Sequence, residues 1–305
     1  MEFILVGLTN SPKLQTQLFW LFLLIYAMAL FGNLLLVLAI CTYKKLHTPM
    51  YFLLINLSVV NVFSISVTTP KLLQILLTRR KAISFYGCIA QVFFFIWALS
   101  TELLILAFMA FDRYAAICHP LQYTMIMRKE VCVKTAAGLW TAGMVHSAIE
   151  IIIVLQLSFC NSNIINHYYC DLLPVVKLSC TDSSMSVRTT FAGDTIFGIG
   201  SCAFTVMSYS FILRAICRIC STEGKKKAFS TCSSHIIVLT FYFSTVIYTY
   251  FRSSSASSLE RDKVISLFFS VITPVLNPVI YSLRNKDVIE ALKKLMGRAK
   301  VLQKS

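Results

Sequence analysis

The feature that most constrains this chain is a recurrence of long apolar segments, each about the ~20 residues needed to cross a bilayer as a helix. Seven qualify: Leu18 to Cys41, Met50 to Leu77, Phe85 to Phe111, Val131 to Leu157, Thr189 to Ile212, Phe229 to Phe251 and Val264 to Leu283. Charged residues make up 13% of the chain, about half the usual share for a soluble domain, and lysine and arginine crowd the joints between segments. In hydrocarbon every backbone polar group must be satisfied internally, so apolar segments of this length are expected to be helices packed as one bundle. The fold class expected is an all-α membrane protein, a seven-helix bundle in a single domain spanning residues 1–305. No repeat of 20–50 residues interrupts it.

Seven crossings put the two termini on opposite sides. Loop lysines and arginines set the orientation. With the N-terminus outside, 18 of the 28 lysines and arginines fall on the cytoplasmic side, and Arg79, Arg80 and Lys81 form the one loop that disagrees. Residues 1–17 are then extracellular and 285–305 cytoplasmic. The opening MEFILVGLTN lacks the pattern of a cleaved signal, so the first span is expected to serve as anchor. In the last segment Val288, Ile289, Leu292, Leu295 and Met296 recur at helical spacing against Lys293, Lys294 and Arg298. That reads as an amphipathic helix on the membrane surface. The net charge of +15 suits a negatively charged lipid leaflet. Nucleic acid is excluded as a partner because no soluble basic domain carries that charge.

Of 11 cysteines, Cys88, Cys160, Cys170 and Cys180 lie on the expected outer side. Four cysteines in an oxidising compartment suggest two disulfides, with three connectivities open. The sequon Asn56-Leu57-Ser58 lies inside the second span, where a sugar has no place.

Charge inside a span is costly and asks for a reason. Cys88, Phe95, Glu102 and Met109 recur every seven residues on one face of the third helix. Glu102 sits ~21 Å along the axis from Cys88 and ~15 Å from Asp112 at 1.5 Å per residue, near mid-membrane. Two readings of it are equally open: a hydrogen-bonded, protonated carboxyl, or a cation site. At the end of the same helix, Asp112-Arg113-Tyr114 can hold a guanidinium by charge-assisted hydrogen bonds. Asp194 is an unassigned charge in the fifth span. His146 and His235 are scattered and read as ordinary polar residues, so neither a metal cluster nor a nucleophile with its base is in view, and an enzyme is not expected. The seventh span has no lysine for a retinal Schiff base, and the inverted, Gly/Pro-broken halves of a transporter are missing.

Several short pieces stand in order across the spans. They are Gly32-Asn33, Pro49-Met50-Tyr51-Phe52-Leu53, MAFDRYAAICHPLQY from Met109, Ser208-Tyr209, KAFSTCSSH from Lys227 and PVLNPVIYSLRNK from Pro274. Together they make the chain resemble the odorant receptors, a branch of the rhodopsin-like G protein-coupled receptors, over almost its whole length. The resemblance implies a small, volatile, mostly apolar ligand inside the bundle and a heterotrimeric G protein of the cyclic AMP-raising type, with no cofactor. It implies a multi-pass protein of the plasma membrane, in the cilia of olfactory sensory neurons. It implies ligand contacts at Phe94, Phe95, Ala98 and Leu99 in the third helix. Tyr242, Thr245, Val246 and Thr249 share one face of the sixth at i, i+3, i+4 and i+7, and Asp194 lies at pocket depth. Phe95 stands where amine-binding relatives have an acid, which disfavours an amine. The same resemblance makes Arg113 an ionic switch with Asp112 as resting partner beside Tyr114. Tyr209 and Tyr281 rearrange on activation, Asn277-Pro278 bends the seventh helix with Asn277 satisfying the freed backbone group, and Lys227 flanks the G-protein surface. It also implies Cys88–Cys170 and Cys160–Cys180 disulfides. The family pattern has aspartate at Asn61, where it joins the Glu102 equivalent around sodium; here that site is one carboxylate short. A glycosylation site near the N-terminus is missing, and Phe111 and Ala115 replace the commoner tyrosine and valine.

Overall fold

The structure is a computed structural model. It describes residues 1–160, 162–218, 221–223, 225, 232, 235–240, 242–244 and 258–302, without the side chains of 194, 258–262, 269, 282–284, 286 and 296–302. Six helices are long and apolar enough to span a membrane, and the shorter apolar helix His235–Ser244 joins them. The order is α1 (Pro12–Thr42), α2 (Pro49–Thr78), α3 (Phe85–Cys118), α4 (Lys129–Val154), α5 (Ser184–Arg218), α6 (His235–Ser244), α7 (Ser258–Leu267, Phe268–Ile272 and Thr273–Arg284) and α8 (Lys286–Leu302).

The helix starts follow local chemistry. Pro12 and Pro49 open α1 and α2, where a missing N–H costs nothing. Ser84 caps α3 by accepting from Gly87 N at 3.1 Å. The helices run past the apolar segments by a few residues because hydrogen bonding continues into the interface. Phe268–Ile272 and, within α5, Thr195–Gly200 are π-helical, a widened turn that re-aims the side chains it carries.

α3 is the axis of the bundle, packing on α2, α4 and α5. Gly143 of α4 lets two backbones approach; a Cβ there would meet Trp97 O at 3.1 Å. α1 is apolar yet turns Trp20 (64% exposed) and Phe31 (68%) outward. A continuous apolar face of that kind is stable only with lipid as its solvent. This is a multi-pass membrane protein.

One end of the bundle carries a three-stranded sheet. β1 (Glu2–Leu5) lies between β2 (Ala82–Ser84), antiparallel, and β3 (Ile164–Ile165), parallel. Phe3 and Leu5 point inward and are fully buried with Ile89, Val92 and Ile165, while Glu2 and Ile4 face out. The expectation for residues 1–17, an extracellular segment, includes no strand; the alternation of Phe3 and Leu5 is its one trace in the sequence.

At the other end α8 lies against the loop after α1. Lys45 pairs with Asp287 at 2.7 Å and Lys294 with Glu290 at 2.8 Å, while Tyr43 donates to Glu290 at 3.1 Å. These groups are exposed, so each contributes little stability.

Candidate functional site

Beneath the sheet, Cys88 at the start of α3 is bonded to Cys170, and Cys160 to Cys180, with Cα separations of 5.4 and 5.9 Å. The first bond draws the loop residues His167, Tyr168 and Tyr169 down into the bundle, where all three are buried. Gln91 reinforces the tie, accepting from Cys170 N at 2.9 Å and donating to Val67 O at 2.8 Å. Tyr168 shares a hydrogen bond with Ser270 at 2.8 Å. His167 Nδ1 accepts from Tyr169 N, which leaves Nε2–H to face Ser266 Oγ at 3.3 Å. Burial, helped by the nearby Lys263 ammonium, pushes the His167 imidazole down to about 3.

That shift has a pH consequence. A histidine that ionises at about 3 when folded and at about 6.5 when unfolded contributes stability fully present above about pH 6.5. It is lost as pH falls toward 3, because the unfolded chain binds the proton first. The expected loss at about pH 5 is about 2 kcal/mol. Thermal unfolding of the purified protein should show this slope, and His167→Gln should flatten it.

The loop forms the roof of an apolar cluster of Phe22, Leu72, Leu76, Phe95, Tyr169 and Val271, against which Leu99 packs. Phe95 and Tyr169 meet at 4.9 Å between ring centroids. Ala98 and Tyr242 are buried deeper, in the main core. So Phe95, Ala98, Leu99 and Tyr242 all face the bundle interior. Phe94 does not. It is 39% exposed and packs on Phe63 and Trp97 on the outer face of α3. Neighbouring residues on a helix diverge by about 100°, and here that step carries Phe94 from the interior that holds Phe95 to the outer face. Thr245, Val246, Thr249 and the side chain of Asp194 lie outside the described residues.

Below this level an amide network crosses the bundle. Asn33 donates to Ala29 O at 2.8 Å and to Pro274 O at 2.9 Å. Asn61 donates to Asn33 Oδ1 at 3.2 Å. Asn277 donates to Asn61 Oδ1 at 3.1 Å and to Glu102 Oε1 at 3.3 Å. Tyr242 lies against the same carboxyl. Pro278 removes the donor that Pro274 O would have used, and Asn33 of α1 replaces it. This corrects the expectation that Asn277 does so. Gly32 belongs to the same arrangement, since a Cβ there would press on the Pro278 ring at 3.2 Å.

The network also tests the sodium site. It offers one carboxylate, and Asn277 points N–H donors at the two acceptors, Glu102 and Asn61, that a cation would need. The residues present do not fit sodium. The response of the native chain is expected to be indifferent to sodium, and Asn61→Asp should make it several-fold sodium-sensitive. Strong sodium dependence in the native chain, unchanged by Asn61→Asp, would refute this.

At the far end of α3, Asp112 is fully buried. Its Oδ2 accepts from Arg113 Nε at 2.9 Å and from a terminal guanidinium nitrogen, and its Oδ1 accepts from Tyr123 at 2.7 Å. Tyr114 turns away to His119 at 3.0 Å. The Tyr209 hydroxyl meets His235 Nδ1 at 2.7 Å rather than Arg113, and Tyr281 is buried in the same core. Lys225 is exposed, and Lys227 lies outside the described residues. Tyr123 carries no role in the expectations from sequence and His235 stands there only as an ordinary polar residue, although both lie in the family-like pieces.

Comparison with known proteins agrees with this architecture. A family model described as olfactory receptor matches residues 22–299. The chain is similar to olfactory receptor 5F1 of Homo sapiens, 46% identical over 299 residues, covering 97% of this chain and 95% of the relative. It is similar to olfactory receptor 5AP2 of Mus musculus, 47% identical over 296 residues with coverages of 97% and 93%. It is likewise similar to olfactory receptor 13G1 of Homo sapiens, 40% identical over 296 residues with coverages of 97% and 96%.

Proposed function

The chain belongs to the olfactory receptor family, a receptor family and not an enzymatic one, and from that premise we propose that it is an odorant receptor. It binds a small, mostly apolar organic molecule within the bundle and activates a heterotrimeric G protein of the cyclic AMP-raising type. It acts as a single seven-helix domain in the plasma membrane of olfactory cilia, with its N-terminus outside.

The observation that carries this reading is the layout along α3. Its loop end bears Phe95, roofed by Tyr169 and lined by apolar side chains with few hydroxyls, which suits an apolar ligand. Its other end bears the Asp112–Arg113 lock, ~27 Å away by helical rise, where a G protein would bind. The amide network and Glu102 lie between, joining α1, α2, α3 and α7. A ligand that favours one packing of these helices shifts the lock through them.

The test is a broad panel of small organic odorants on cells that express the full chain and report cyclic AMP, with surface expression measured in parallel. Dose-dependent signalling to at least one apolar member is expected. A surface-expressed chain silent to the whole panel overturns the reading.

A further inference from the structure

α4 brings a second set of ionisable groups into the bundle. Glu150 is fully buried, and its Oε2 accepts from Thr190 Oγ1 of α5 at 3.1 Å. One turn earlier His146 is fixed on three sides. Its Nδ1 lies 2.9 Å from Ser100 Oγ of α3. Its ring stacks on Phe197 of the π-helical turn, with centroids 4.4 Å apart and planes 21° from parallel. Gly193 of α5 lies against the ring edge, where any Cβ would collide with the imidazole.

These contacts leave two atoms over. His146 Nε2 and Glu150 Oε1 are buried and hydrogen-bond to nothing among the described residues. They stand 3.7 Å apart, too far for a direct hydrogen bond and close enough for one oxygen to bridge. Leaving both unmet is costly, so something is expected to meet them. Of the two tautomers, the one in which Ser100 donates to Nδ1 puts the ring hydrogen on Nε2, aimed toward the carboxyl of Glu150, and is the one assigned. The bridging group must therefore accept from Nε2 and donate to Glu150. A hydroxyl does both, whereas an ether or carbonyl oxygen only accepts. Ser100 follows Leu99 in α3, so the pair lies at the depth of the apolar cluster.

We propose that His146 and Glu150 form the polar end of the ligand site and select ligands that carry a hydroxyl group. The inference rests on the receptor reading above. A bound water is the other source of the same oxygen, and the test separates the two.

The probes are the straight-chain primary alcohols from hexanol to decanol and their methyl ethers, applied to cells expressing the full chain. Each alcohol is expected to be about tenfold more potent than its ether, the upper end of what one intramolecular-type hydrogen bond contributes. Glu150→Gln, which keeps the shape, should bring that ratio close to one. So should His146→Phe, which keeps the stack on Phe197 and removes Nε2. If one variant fails to reach the surface, the other decides. Equal potency of alcohols and ethers in the native chain overturns the inference and leaves the receptor reading standing. A preference that survives both variants assigns the bridging oxygen to water and also overturns it. Silence of the surface-expressed chain toward these probes and the broad panel alike removes the receptor reading itself.

Discussion

Arg113→Ala is expected to reduce the agonist-driven cyclic AMP response to below about a tenth of the native level, since it removes the guanidinium donors that a G protein would receive once Asp112 releases them, charge-assisted hydrogen bonds worth ~1.5–3 kcal/mol each. Surface expression should stay near normal. Asp112, the buried partner, keeps its bond from Tyr123 at 2.7 Å when the guanidinium is gone, so the helix end is not left with a wholly unmet carboxylate. Ligand occupancy should also persist, because Phe95 lies at the opposite end of α3. Arg113→Lys should recover little, since an ammonium lacks the planar fork of donors that Asp112 Oδ2 receives. Dose–response curves alongside surface staining check this. A well-expressed Arg113→Ala chain signalling at native strength would refute the role.

Cys88→Ser is expected to remove nearly all protein from the cell surface. The bond to Cys170 spans 82 residues, and cross-links over long loops are worth about 4–5 kcal/mol in the chain-entropy view. More is lost here than entropy, because the same bond carries Tyr168 and Tyr169 into the roof of the apolar cluster. Cys160→Ser should be milder, about 3 kcal/mol, since that bond spans only 20 residues at the exposed rim. Surface staining and thermal unfolding of the two variants give the order. Equal losses would show that the roof depends on both bonds alike.

The helices were legible because apolar length is a direct physical demand of the bilayer. The α3 start at Phe85 coincides with the apolar boundary, while its end at Cys118 runs seven residues beyond Phe111, since polar residues can continue a helix once it leaves hydrocarbon. The inward stripe through Cys88, Phe95, Glu102 and Met109 was legible from period alone, and all four are buried. Phe94 stands at the pocket's level by resemblance, but it lies off that stripe and turns to the outer face. The proline carbonyl was assigned to Asn277, the neighbour in sequence, whereas Asn33 meets it from 241 residues away. His146, expected to be an ordinary polar residue, and Glu150, given no role, escape for a similar reason. Their partners Ser100, Thr190 and Phe197 stand on other helices, and a lone histidine on an apolar helix carries no local mark.

The strand Glu2–Leu5 sets an order on the birth of the molecule. Its antiparallel neighbour, Ala82–Ser84, is made some eighty residues later, and its parallel neighbour begins at Ile164. At ~5–20 residues per second of synthesis, β1 waits ~10–30 s for its second partner. During that wait Phe3 and Leu5 have no finished core to enter, and the strand keeps an unpaired edge exposed to chaperones and to other nascent chains. A strand made before both of its partners is thus among the last elements to settle. A substitution at Phe3 would act chiefly on how many chains leave the endoplasmic reticulum, and little on how a finished receptor responds.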